Sequence, residues 1–214
     1  MADNYLEKRY DEVFNSQKVR VKRIGHTVDE LLLRNRSYRG YNKSFVVSED
    51  MLRRIVAVCS RIPSARNQQA LRFRLVTKGD EADFVLQNIK LGAALPQLHL
   101  PFPGTEPESF IVVCSTKAED SMVDIDLGIA LQSMLLKAVE MGLGGLIIGA
   151  FNREAIRERF NLSIEPLMLL AIGKPAEKIE LVSIHDGEAQ AYYRDERGVH
   201  YVPKIKSDEL IINK

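Results

Sequence analysis

Three short clusters in this chain of 214 residues carry side chains suited to holding a ligand. Arg36-Ser37-x-Arg39 sets two guanidiniums and a hydroxyl within four residues. That is a phosphate clamp in miniature, because each guanidinium presents a planar fork of donors and serine adds another. Pro63-Ser64-Ala65-Arg66-Asn67-Gln68-Gln69 supplies hydroxyl and amide groups that both donate and accept, which suits the edge of a planar heterocycle bearing imide and carbonyl groups. Ile147-Ile148-Gly149-Ala150 closes a β-prone run on Gly-Ala, where backbone N–H groups can come close to a flat ligand. Taken singly, these are also what a solvated turn, a polar loop and a strand-to-helix turn look like. Each can also form one wall of a site for an anionic cofactor.

The chemistry absent from the sequence narrows the field. There is no His-Glu-x-x-His, Cys-x-x-Cys, Gly-x-Ser-x-Gly or Walker sequence. His26, His99, His185 and His200 are far apart and show no ligand spacing, so most are expected at the surface and no metal is expected. Asp124 and Asp126 fall near the start of a helix, where carboxylates complement the helix dipole. The glycines Gly142, Gly144, Gly145 and Gly149 precede a strand rather than open a helix after one, which fails the dinucleotide fingerprint. The net charge of +1 supplies no bulk field for nucleic acid. Cys59 and Cys114 sit in apolar runs, as in a reduced compartment. The N-terminal stretch lacks a signal-type apolar region and no window reaches the ~20 apolar residues of a membrane span, so a cytoplasmic protein is predicted.

The elements that must position the clusters follow from spacing. Residues 3–14 read as a charged amphipathic helix, and Gln17 to Arg23 as a basic, solvated arm, giving an N-terminal extension over 1–26 and a main domain over 27–214. Thr27 with Glu30 forms a capping box ahead of a helix ending near Asn35. Ser48 starts a second helix that Pro63 ends, and Asp80 to Leu91 reads as a third. Arg72 to Thr77, Phe110 to Ser115 and Leu167 to Ile172 read as strands, the second buried on both faces. Ser121 to Met141 is the longest helix, apolar on more than one face. A glycine cap and a short strand follow it, then a short helix capped by Asn152. Beyond Ala176 the reading is a hairpin over 191–202 and a basic tail. Leu91 to Pro107, rich in Gly and Pro, is the expected cover over a substrate.

Five segments in order, Arg34 to Tyr41, Pro63 to Gln69, Asp126 to Gln132, Gly142 to Phe151 and Leu170 to Pro175, resemble the motifs of the FMN-dependent nitroreductase family. The resemblance runs from about Val28 to Pro175, with Val202 to Lys206 matching a basic tail segment. It implies an α+β fold with a central, mostly antiparallel sheet flanked by helices, in a homodimer with exchanged terminal extensions and FMN at the dimer interface. Carried over by position, Arg36, Ser37 and Arg39 hold the FMN phosphate and ribityl chain, and Lys204 and Lys206 reach the same phosphate. Asn67, helped by Ser64 and Gln69, bonds the pyrimidine side of the ring, the backbone at Gly149 and Ala150 faces flavin N5 with Ile148 also in the cofactor site, and Gln132 lies on the interface helix.

Two positions depart from the family's pattern. Ala70-Leu71 stands where many relatives have Pro-Trp, and Ile147-Ile148-Gly149-Ala150 where one subgroup has Pro-x-Glu-Gly. The resemblance further implies reduction of a nitroaromatic, quinone or other small acceptor by NADH or NADPH in a ping-pong reaction, with the chemistry carried by the flavin and no catalytic side chain. The alternatives it leaves are another flavin reaction such as dehalogenation or flavin fragmentation, a flavin-binding protein without turnover, and a plain nucleotide-phosphate binder.

Overall fold

The computed structural model describes residues 25–92, 98 and 100–213. The expected N-terminal helix over 3–14 and the basic arm lie outside the described residues. Helix α1, Val28–Arg34, opens with the predicted capping box: the Thr27 hydroxyl accepts from Glu30 N–H at 3.2 Å and the Glu30 carboxylate accepts from Thr27 N–H at 3.0 Å. Helix α2, Glu49–Val56, is capped by Ser48 and tightens into a 3-10 turn over Ala57–Ser60. Strand β1 is Leu71–Val76, helix α3 Asp80–Gln87 and strand β2 Phe110–Ser115. Helix α4, Ser121–Glu140, carries an Asp120 cap, and strand β3, Gly144–Ile148, follows it. Helix α5, Arg153–Arg159, is capped by Asn152 and leads to strand β4, Glu165–Gly173.

These strands form one antiparallel sheet in the order β1-β2-β4-β3. The predicted mixture of helices around a mostly antiparallel sheet is therefore what the chain adopts. Side chains alternate along each strand, so β2 sends Ile111 and Val113 into one core and Phe110, Val112 and Cys114 into the other. The first core lies against α2 and α4 through Leu52, Ile55, Leu127 and Met134. The second lies against α3 and α5 through Ala82, Val85 and Ile156. Covering both faces explains why all six residues of β2 are buried.

Two elements differ from the expected ones. Helix α3 stops at Gln87 rather than continuing to Leu91, because the next residues pair with the segment after β3. Lys90 N–H donates to Ala150 C=O at 2.8 Å and Asn152 N–H to Asn88 C=O at 2.9 Å. The C-terminal part contains the predicted hairpin, β6 at Tyr193–Arg194 against β7 at His200–Ile205, but also an unpredicted strand β5, Ile179–Ile184, running parallel to β7. Among the described residues no helix is long and apolar enough to cross a membrane.

Candidate cofactor site

The Arg36–Arg39 segment lies along the edge strand β3. Ser37 bridges Gly145, and Tyr38 N–H donates to Gly145 C=O at 3.1 Å. Only glycine permits this approach. A Cβ at Gly144 would sit 2.5 Å from the Tyr38 ring, while one at Gly145 would crowd the paired strand instead, 2.5 Å from Ala171 C=O of β4. The glycine cluster that fails as a dinucleotide loop thus serves to seat the phosphate-clamp segment against the sheet.

The C-terminal strands fix the segment from the other side. The Glu177 carboxylate accepts from the backbone N–H of Arg39, from Gly40 N–H at 3.1 Å and from the Arg194 guanidinium. Both side chains of that ion pair are under a tenth exposed. Burying such a pair costs several kcal/mol of desolvation per ion, so its value here lies in geometry rather than in net stability. Arg39 in turn stacks over the Tyr192 ring, 5.1 Å from its centroid.

The result is a cleft of about 310 Å³ between α1, α4, β3 and β7. Arg36, Ser37, Arg39, Gln132, Ile147, His200 and Lys204 line it, with three cations and no carboxylate among the described residues of its walls. Asn35 ties the α1 end to α4 by donating to Gln132 at 3.2 Å. One Arg36 N–H group donates to Leu32 C=O at 2.6 Å, while its Nε is buried with no partner. Partial burial lowers the Arg36 pKa from its ordinary value, yet the group stays cationic throughout the physiological range. The walls therefore suit a compact anion.

Buried polar atoms without partners cost roughly 1–3 kcal/mol each and are rare. Among the side chains of the described residues they are Arg36 Nε, Arg194 Nε and both ring nitrogens of His200. Arg36 and His200 line the cleft, and Arg194 lies close enough to His200 to depress its pKa. His200 is only 1% exposed, whereas His26 and His185 lie at the surface as expected. Burial, then the Arg194 and Arg39 guanidiniums, push its pKa down to about 4, with Glu177 pulling the other way.

The remaining predicted residues are dispersed. Lys204 lines the cleft, whereas the Lys206 ammonium donates to His185 Nε2 at 2.7 Å. Ser64 and Gln69 line a second cleft of about 320 Å³ together with Leu71, Asp126 and Ala130. Because Gln132 and Asp126 face different clefts, α4 stands between them. Ala150 lines a third with Lys90 and Asn152. The Ile148 side chain packs into the core at 3% exposure, while Gly149 and Ala150 are exposed beyond it, so this stretch can offer a ligand its backbone.

The amide-bearing loop has an unusual backbone. Arg66, Asn67 and Gln69 all adopt positive φ, between 45° and 52°. Side-chain-bearing residues avoid that region unless the surroundings enforce it. The enforcing group is Asp126, which is 4% exposed. Its carboxylate accepts from the Ser64 hydroxyl at 2.7 Å, Ala65 N–H at 2.6 Å and the Gln68 amide at 3.1 Å. The Ser64 oxygen then accepts from Gln69 N–H at 2.9 Å. Burial pushes the Asp126 pKa up, but the bonds from Ala65, Ser64 and Gln68 outweigh it and hold the group ionised below the ordinary carboxylate value. The helix-dipole reading of this residue is too modest.

Comparison with known proteins accords with this arrangement. The family model described as Nitroreductase family matches residues 32–174, which span α1 to the end of β4. The chain belongs to the nitroreductase family. Among solved structures, the nitroreductase family protein of Streptococcus pneumoniae TIGR4 is similar at 15% identity, covering 88% of this chain and all of that one, with a TM-score of 0.62. NfnB, the FMN and NADPH-dependent nitroreductase of Sphingopyxis sp. strain HMH, is 18% identical over 70% of this chain and 89% of its own, with a TM-score of 0.58. The FMN-dependent nitroreductase of Clostridium difficile R20291 is 22% identical over 76% and 90%, with a TM-score of 0.56.

Proposed function

We propose that this nitroreductase-family chain is an FMN-dependent oxidoreductase that uses NADH or NADPH to reduce nitroaromatics, quinones or related small acceptors in a ping-pong reaction. The observation that carries this reading is the cleft at Arg36-Ser37-x-Arg39, with three cations, no carboxylate among its described walls and a buried Arg36 Nε without a partner among the described residues. Those donors fit the phosphate end of FMN. The relatives named as FMN-dependent add weight to that choice of cofactor.

In this reading Arg36, Ser37, Arg39 and Lys204 bind the phosphate, with Arg39 preset by the Tyr192 stack and by the Glu177 bonds to its backbone. Lys206 joins them by leaving His185. Ser64, Asn67 and Gln69 offer hydrogen bonds to the pyrimidine edge, and the backbone at Ile148, Gly149 and Ala150 faces N5. Donors at those two places stabilise negative charge on a reduced ring and so tune its potential. The bound flavin supplies hydride acceptance and hydride donation, and no side chain is assigned a nucleophilic or acid role.

One chain keeps the phosphate clamp and the amide loop in separate clefts. We therefore read the active unit as a homodimer in which each site takes its clamp from one protomer and its amide loop from the partner. Apolar side chains left exposed at Val28, Leu33, Ile125 and Ile212 give such a pairing surface to bury.

The test is the visible spectrum of the purified protein, followed by anaerobic addition of NADH or NADPH. Flavin bands that bleach support the cofactor and its reduction together. Yellow protein that fails to bleach with either donor removes the nicotinamide step. Colourless protein that takes up no added FMN overturns the reading.

A further inference from the structure

The fold does not explain His200. Strand β7 alternates, sending His200, Val202 and Lys204 to the cleft. If packing were the only requirement, an apolar ring would fill the position without burying two polar atoms. In a neutral imidazole one nitrogen donates and the other accepts, and here neither finds a partner among the described residues.

The surroundings define what is missing. Arg39 approaches from the loop after α1, Arg194 from β6 and Lys204 from the same strand, while the Tyr192 ring lies 5.0 Å from the imidazole. Glu177, the carboxylate nearest in effect, is already engaged by two backbone N–H groups and by Arg194. The imidazole thus sits among cations at the wall of an anion-suited cleft, with an N–H group to give and no acceptor for it among the described residues.

We propose that His200 is a further contact for the anion in this cleft, donating an imidazole N–H to the phosphate that Arg36, Ser37, Arg39 and Lys204 surround. The proposal rests on reading the cleft as the phosphate end of an FMN site. A single neutral donor adds direction to a site otherwise built of charges. It favours a phosphate seated deep against β7 over one held at the rim by Lys204.

The test uses the whole protein labelled with 15N. Long-range proton–nitrogen spectra follow the His200 ring while inorganic phosphate, and separately FMN, is titrated. His26, which does not line the cleft, serves as the reference, and His185 reports separately on whether Lys206 leaves it. Displacement of the His200 ring signals by phosphate and by FMN is the expected result. In parallel, FMN affinity is read from flavin fluorescence quenching. His200→Phe should weaken it about tenfold or more, as for a lost bond to a charged group, with His200→Asn, which keeps an amide donor, falling between. FMN binding that leaves the ring signals unmoved and is equal in wild type and His200→Asn overturns the proposal while the cofactor assignment stands. If FMN fails to bind but phosphate still moves the ring, the cofactor assignment falls and the anion contact survives. A His200→Phe protein that does not fold leaves the wild-type spectra and the Asn variant to decide.

Discussion

A buried histidine held neutral has a thermodynamic signature that can be read without any ligand. In the folded apoprotein the His200 pKa is pushed down to about 4 by burial and by Arg194 and Arg39, whereas its ordinary value is 6.5. Between those values the unfolded chain binds more protons than the folded one, so stability rises with pH. The contribution is full above the ordinary value and is lost as pH falls toward the depressed one. From pH 7 to pH 5 the wild type should lose about 2 kcal/mol more than His200→Phe, as measured by urea unfolding in phosphate-free buffer. Parallel losses in the two proteins would show that the imidazole is not excluded from water as the structure has it. His200 carried no sequence signal of its own, because the charges around it come from Arg39 and Glu177, more than twenty residues away in the chain. The two guanidiniums and the serine of Arg36–Arg39 were legible because they are adjacent in the chain, and the structure puts all three on one cleft.

At the scale of elements, Asp126 on α4 shows how a helix can set a loop it does not precede. Its carboxylate collects donors from Ser64, Ala65 and Gln68, some sixty residues earlier, and so holds three residues in left-handed backbone. Asp126→Ala removes one buried acceptor set and leaves those donors without a partner. A loss of about 2 kcal/mol is expected, lowering the melting temperature of a chain this size by roughly 4–8 °C. Protease cutting should then appear at Arg66, and a variant that melts like wild type and resists cutting there would mean that the loop is set by its own sequence. Caps explain which elements could be read in advance. Thr27, Ser48 and Asn152 each accept a bond inside the first turn they start, so the signal is local. The end of α3 and the existence of β5 depend instead on distant partners, Ala150 and Asn152 for the first and β7 for the second. Spacing within the segment carries no trace of them.

The whole molecule raises the question of how dispersed clefts make one site. Arg36 and Asn67 lie on segments that face different clefts on the two sides of α4, so the proposed site takes one of them from the partner of the proposed homodimer. This has a consequence for mixed dimers. Arg36→Ala homodimers lack the clamp at both sites, and homodimers of a variant with Asn67 and Gln69 both replaced by alanine lack the amide edge at both. A heterodimer of the two has one site with both defects and one site with neither. Co-expression with two affinity tags, followed by sequential purification, should therefore recover about one FMN per heterodimer from parents that each hold far less. If every site were built within one chain, each site of the heterodimer would keep a defect and its flavin content would match the poorer parents. Tight binding at a single restored site would also bleach with the donor that reduces wild type, which links the assembly to the redox step. Recovery to half of the wild-type flavin content, with none of the gain in a mixture of the separately purified parents held too briefly to exchange subunits, is the outcome that the placement of these two loops predicts.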